Sequence, residues 1–300
     1  MDLLETMFRH KAAGKTEMPP KLGIHPFEQS FIHAMPACVN PLGAAGVKWI
    51  SIYPHNSRLS LPQINGLIIL NDLNTGIPRA ILDASAITAT RTAAASALAA
   101  RYLARKDSYS LGILGCGVQA RSHLATFASE FELHDVFAYD TSKKISQGFA
   151  QEMEENLAIA IHPVDSPRQA VENRDMVITA GPITNPPHAT IKHGWLAPGT
   201  FASSIDYGSY WHPKAIAQMD LLFTDDCKQY ASHQHNGYLQ GLPVIKHELS
   251  ELVTGQHPGR TDQEQRAFAC NLGIALEDVV VAKAVVDEAT AQEMGIKLAL

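Results

Sequence analysis

Gly115-Cys116-Gly117-Val118-Gln119-Ala120 is the stretch of this 300-residue chain whose residue types and spacing point to specific chemistry. It follows the short apolar run Leu111–Leu114, and leads into Ala120, Leu124, Phe127, Ala128 and Phe131 at helical spacing. Strand, glycine turn and helix together cradle a dinucleotide pyrophosphate. Gly115 permits the tight turn, Gly117 lets backbone approach phosphate, and small Ala120 lets the helix lie close on the sheet. Val118 and Gln119 open that helix, whose free N–H groups point at the anion. Asp140 closes a second apolar run, Val136–Tyr139, 23 residues after Gly117. An acid in that place meets the adenine-ribose hydroxyls. It also reads as a cap for the next helix, a part that Thr141 or Ser142 could take. An acid repels a 2′-phosphate, which favours NAD. Lys143 and Lys144 leave NADP open, and S-adenosylmethionine proteins use similar glycine turns.

Four other places carry reactive side chains. Arg91 stands in the first turns of an alanine-rich helical stretch, where a guanidinium fork beside the positive end of a helix suits a carboxylate ligand. It also reads as half of a surface or interdomain salt bridge. Lys48 lies in an apolar strand between Val47 and Trp49 and by itself reads as an edge lysine whose stem snorkels to water. Asp206 closes a later strand, where a carboxylate serves as general base, steadies a cationic imine, or caps the following segment. His233-Gln234-His235 has no third ligand at supporting spacing, so it is read as a solvated loop and no metal is expected.

The elements that must position these groups fall into two classes. Residues 1–20 read as a short polar helix and a proline-rich turn. The next ~65 residues read as strands without intervening helices, among them VKWISIYP, INGLIILND and IPRAILD, so an antiparallel sheet is expected. Ser85–Arg105 reads as one long alanine-rich helix, a bridge between two domains. From residue 109 to about 226 strands and helices alternate, with strands expected at Leu111–Leu114, Val136–Tyr139, Ala158–His162, Met176–Ala180, Thr200–Ile205 and Leu221–Thr224. Ser166-Pro167 marks one helix start. This pattern predicts an α/β, doubly wound parallel sheet, whose ligands bind at strand carboxyl ends. Those ends include Ala180-Gly181 and Asp206. His247–Thr254 and Ala267–Ala291 read as helices, the second packing back on the first domain. The expected division is a discontinuous α+β substrate-binding and dimerisation domain, residues 1–107 and 275–300, with a nucleotide-binding domain, 108–274, inserted.

Composition narrows the function further. Hydrophobic content of 46% with 18% charged residues describes an ordered globular chain. Net charge is −6 with no basic cluster, which argues against nucleic acid. The N-terminus lacks a signal-peptide core, no apolar run is of membrane-spanning length, and the four cysteines have no CxxC spacing. A cytoplasmic protein with buried free thiols is expected.

Several motifs taken together resemble the ornithine cyclodeaminase and mu-crystallin family. They are Met35-Pro36-Ala37, GVKWIS (Gly46–Ser51), P-x-N (Pro54–Asn56), D-x-x-TG-x-P (Asp72–Pro78) and ITATRTAAASALAA (Ile87–Ala100). GCGVQA at the turn, TGQHPGRTD (Thr254–Asp262) and LGIALEDVVVA (Leu272–Ala282) complete the set. The resemblance implies a Rossmann domain, a homodimer formed through the discontinuous domain, and NAD(P)-dependent chemistry at the Cα–N bond of a small amino or cyclic imino acid. It implies that Arg91 binds the substrate carboxylate and that Lys48 faces that carboxylate or the reacting nitrogen. Lys21 lies one residue from the place of another carboxylate-binding basic residue. Asp206 approximates the catalytic aspartate, which stands two residues further along in ornithine-active members. Those members also carry an acid, for the substrate's side-chain ammonium, where this chain has His33. A neutral imidazole is a poor ammonium partner. Ketimine reductase or amino-acid dehydrogenase chemistry is therefore favoured. True ornithine cyclodeaminase activity, and a mu-crystallin-like binding role without turnover, are the alternatives.

Overall fold

The computed structural model describes residues 1–298. In chain order it runs α1 (Asp2–Ala12), β1 (Thr16–Glu17), β2 (Leu22–Phe27), β3 (Ser30–Val39), β4 (Ala44–Ile52), β5 (Ile64–Asn71), β6 (Pro78–Asp83) and α2 (Ser85–Leu103). There follow β7 (Ser110–Leu114), α3 (Val118–Glu130), β8 (Asp135–Tyr139), α4 (Lys143–Leu157), β9 (Ala160–Pro163), α5 (Pro167–Val171) and β10 (Met176–Thr179). Then come β11 (Phe201–Ser204), α6 (Pro213–Ile216), β12 (Leu221–Thr224), α7 (Cys227–His235), β13 (His247–Glu248), α8 (Leu249–Thr254), β14 (Ala267–Cys270) and α9 (Ala275–Ala291). The chain divides into two compact units. One comprises Asp2–Arg91 with the segment from Ile274 onward, the other Thr92–Gly273.

The first unit is an antiparallel sheet ordered β1-β3-β4-β5-β6, with β2 also paired to β3. Strict alternation along β3 sends Phe31, His33, Met35, Ala37 and Val39 to one buried face. Met35 pairs with Lys48 and His33 with Ile50, so those side chains share that face. α9 packs against β3, β4 and β5 and covers it. The other face is apolar and open: Leu22, Ile24, Trp49, Leu67 and Ile81 are exposed.

The second unit is an eight-stranded, all-parallel sheet ordered β13-β12-β14-β11-β10-β7-β8-β9. β7, β10, β11 and β14 are buried throughout, as strands with both faces covered must be. Three expectations need correction. Ala267–Cys270 is a central strand, not the start of a helix; AFAC is buried on both faces, so it shows no alternation to read. His247–Glu248 is a short strand, and the helix begins only at Leu249, behind a capping box of Glu248 and Glu251. His233-Gln234-His235 is the last turn of α7, not a solvated loop. His233 is buried there, its ring edge-on to Tyr207 at 5.1 Å. Cys116 and Cys270 are buried free thiols, whereas Cys38 and Cys227 are half-exposed.

Candidate active site

In the parallel unit, β7 delivers its carboxyl end to the glycine turn and α3 starts directly behind it. Gly115 has φ +86°, a left-handed conformation that favours glycine. Its missing side chain matters a second time. A Cβ there would lie 2.7 Å from the Gly181 nitrogen and 2.9 Å from the Ala180 carbonyl carbon. Ala180 and Gly181, at the end of neighbouring β10, therefore seat against the turn, and the Ala180 N–H donates to the Leu114 carbonyl at 2.8 Å. Gly117 is the N-cap of α3, and a Cβ there would meet nothing within 4 Å. That open space, with the first-turn N–H groups of Val118 and Gln119 at its back, fits a pyrophosphate. Ala120 is fully buried, which permits the close seating of α3.

Asp140 does not act as the N-cap of α4. Its Oδ2 accepts the Cys116 N–H at 3.0 Å, and its Oδ1 accepts the Ser142 N–H at 2.9 Å. The acid at the end of β8 is thus fastened to the glycine turn. Burial pushes the Cys116 thiol up to about 12, with Asp140 adding to the rise, so Cys116 stays protonated and unreactive.

Asp206 follows β11 and is fully buried. Its Oδ1 accepts from the Ser204 hydroxyl at 2.8 Å, while Oδ2 has no well-formed hydrogen bond. Burial raises its pKa to about 7, with the hydroxyls of Thr179 and Ser204 pulling the other way. It can carry a proton at neutral pH and release it within the same range. Tyr210 packs its ring where a side chain at Gly181 would sit, and burial, then Asp206 and Asp140, raise its hydroxyl.

In the antiparallel unit, the basic residues gather on two acids of α9. Lys48 is 1% exposed, so it is no edge lysine; its Nζ pairs with Asp278 Oδ2 at 2.7 Å. Arg91 is buried too. Its Nε donates to Asp278 Oδ1 and its Nη1 to Glu277 Oε2, both at 2.9 Å. Burial, and then the positive charge of Arg91, depress Lys48 to about 7, while Asp278 opposes them. His33 stacks on Phe31 with ring centroids 4.3 Å apart. Burial, then Lys21, His25 and Lys48, push it down to about 3, so it is a neutral imidazole among cations. Lys21 belongs to this cluster electrostatically, since it acts on both Lys48 and His33. Glu277 and Asp278 carry no role in the reading of the sequence. Their signal was present: two adjacent acids inside the otherwise apolar run ALEDVVVA. Among the described residues, no group of three or more His, Cys, Asp or Glu could hold a metal ion.

A doubly wound parallel sheet with a glycine turn after its first strand is a Rossmann-type fold. The profile described as the ornithine cyclodeaminase/mu-crystallin family matches residues 1–293, and the chain belongs to that family. Alanine dehydrogenase of Archaeoglobus fulgidus is 32% identical over 310 residues, covering 99% of this chain and 92% of that protein. Among solved structures, Thermococcus litoralis Δ1-pyrroline-2-carboxylate reductase in complex with NADH and L-proline matches with a TM-score of 0.88 at 30% identity, covering 99% of this chain and 94% of that one. An archaeal alanine dehydrogenase dimer with bound NAD matches with a TM-score of 0.87 at 30% identity, covering 100% and 93%.

Proposed function

We propose that this protein is an NAD-dependent oxidoreductase that interconverts a small 2-imino acid, open-chain or cyclic, and the corresponding amino acid. The observation that carries this reading is the glycine turn, open above Gly117 and tied through Cys116 to Asp140, in a chain that also buries Lys48 and Arg91 together. When bound, the dinucleotide supplies the hydride. Gly115, Gly117, Val118, Gln119, Ala120, Ala180 and Gly181 form its cradle. Asp140 receives the adenine ribose and disfavours a 2′-phosphate, so NAD is preferred over NADP.

Arg91 and Lys48 hold the substrate carboxylate, with Lys21 contributing charge. A fixed carboxylate orients the α-carbon, which is the positional part of catalysis. Reduction of C=N to CH–NH needs one proton besides the hydride. Asp206, with a pKa near 7, gives that proton to the nitrogen in reduction and takes it back in oxidation. His33 brings no negative charge, so a substrate with a side-chain ammonium finds no partner there.

We further propose that a second copy of the chain covers the open face of the antiparallel sheet, and that the protein works in the cytoplasm. The first is supported by the exposed Trp49, Leu67 and Ile81 on one face, and by the dimeric archaeal relative. The second is supported by four free cysteines; among the described residues no helix is long and apolar enough to cross a membrane.

The test is oxidation of NADH and of NADPH with Δ1-pyrroline-2-carboxylate, or with pyruvate and ammonia, beside NAD+ reduction with ornithine, alanine and lysine. Turnover of an imine with NADH, and none of ornithine, is expected. Proline and ammonia formed from ornithine would overturn the His33 argument. Cofactor binding without turnover of any of these would favour a binding role instead.

A further inference from the structure

Packing α9 on the sheet does not call for the acidic pair Glu277-Asp278. The neighbours Ala275, Leu276, Val279, Val280 and Ala282 are buried apolar residues that serve that end, whereas two fully buried carboxylates carry a large desolvation cost. Such a cost is met only by close pairing, and the pairing here is specific. Asp278 splits its carboxylate, Oδ1 to Arg91 Nε at 2.9 Å and Oδ2 to Lys48 Nζ at 2.7 Å. Glu277 takes the other edge of the same guanidinium at Nη1.

We infer that Asp278 is a positioning residue, which bridges Lys48 and Arg91 through its two oxygens and so fixes the separation and direction of the two cations that grip the substrate carboxylate. This rests on the reading of Lys48 and Arg91 given above. Two long, flexible side chains from different elements, β4 and α2, gain a common reference point on a third. The bridge also governs the charge of Lys48. The groups facing that ammonium are Arg91 from α2, Asp278 from α9, Lys21, and neutral His33 from β3. Of these, Asp278 is the one that favours the protonated form, against burial, Arg91 and Lys21. Glu277 pairs with Arg91 at Nη1.

The experiment compares wild type with Asp278→Asn, Asp278→Glu and Glu277→Gln, each checked by thermal melting. The Lys48 Nζ is titrated by 15N NMR, and kcat and KM are measured across pH 5.5–9.5. In Asp278→Asn the Lys48 midpoint is expected to fall by about one pH unit or more, and the alkaline limb of kcat/KM to move down with it. Asp278→Glu, which keeps the charge on a longer stem, restores the midpoint but raises KM about tenfold with little change in kcat. Glu277→Gln moves the midpoint less than Asp278→Asn. A midpoint that stays in place in Asp278→Asn, or activity that falls by one factor at every pH, overturns the inference. If Asp278→Asn does not fold, Asp278→Glu decides: an unchanged KM overturns it. The nitrogen titration needs no substrate. A shifted midpoint in a protein that turns over none of the imines would therefore fault the substrate reading and leave the bridge standing.

Discussion

Asp140 and Cys116 are joined by a hydrogen bond of 3.0 Å from the backbone N–H of the glycine turn to a carboxylate at the end of the adjacent strand. The bond does two things. It holds the turn in the shape that leaves Gly117 open, and it fixes the position of the carboxyl group at the end of β8. A charge-assisted hydrogen bond contributes about 1.5–3 kcal/mol, or roughly tenfold to a hundredfold in an equilibrium constant. Asp140→Ala is expected to weaken NADH binding by that range, read as the Kd from NADH fluorescence. NADPH binding should weaken less or improve, because the repulsion of a 2′-phosphate is gone. An unchanged NADH Kd would show that neither the hold on the turn nor the acid itself contributes to cofactor binding.

The two glycines of the turn should fail differently. Alanine at Gly115 must adopt φ +86° and place its Cβ against the backbone of Ala180 and Gly181. The left-handed conformation alone costs about 1–2 kcal/mol, and the overlap with backbone atoms adds to it. Gly115→Ala is expected to lower the melting temperature by several degrees and to lose NADH binding. Gly117→Ala meets nothing in the protein and has φ −85°, so its melting temperature should stay within a degree or so of wild type. Its Cβ stands in the open space instead, so NADH affinity should still fall at least tenfold. Melting curves and NADH titrations on both variants separate the effects. Equal loss of stability in the two would contradict the assignment of that space to a ligand.

Asp206 makes a prediction in pH. Its pKa is raised from 3.8 to about 7, so the folded protein holds a proton there that the unfolded chain releases near pH 4. The stability this group contributes is present below about pH 4 and lost as pH rises toward and through 7, above which a buried carboxylate is a cost. Asp206→Asn removes that cost. Its melting temperature should exceed that of wild type at pH 8, and the gap should close toward pH 5. Activity should fall by about a hundredfold to ten-thousandfold, the range for loss of a general acid or base. Lys48, depressed to about 7, has the opposite sign, so only a comparison of variant with wild type isolates Asp206. Lower stability of Asp206→Asn at pH 8 would place the cause of its burial elsewhere.

Which parts of this molecule are legible in the sequence follows from how local their causes are. The glycine turn, Asp140 and the strands β7, β8 and β12 depend on neighbours within a few residues, and their spacing displays them. β14 does not. AFAC reads as the start of a helix because its alanines favour one, and its strand partners in β11 and β12 lie more than forty residues away. Lys48 shows the same limit in the site. Beside Val47 and Trp49 it looks like a lysine whose tip reaches water. Only the return of α9, bringing Asp278 to 2.7 Å, makes it a buried ion. Arg91 offered a choice between ligand and salt bridge. It forms buried salt bridges with Glu277 and Asp278, and the two descriptions are compatible for a guanidinium held in place by acids.

The open sheet face carries the last prediction. Trp49 pairs with Leu67 across β4 and β5, while Ile69 pairs with Ile81 across β5 and β6, so these side chains share one face. Trp49 and Leu67 are each 49% exposed and Ile81 is 62% exposed. Soluble monomers rarely display a contiguous patch of such residues. Because that face lies opposite α9, substituting it leaves the core around Lys48 and Arg91 untouched. The double variant Trp49→Glu, Leu67→Glu is expected to sediment as a monomer where wild type sediments as a dimer. Placing like charges across the two-fold axis of such a contact costs several kcal/mol, which is a thousandfold or more in the dimerisation constant. The single test that sinks the assignment is sedimentation velocity at micromolar concentration: a monomeric wild type, or a double variant that stays dimeric, shows that the sheet face is not where the two copies meet.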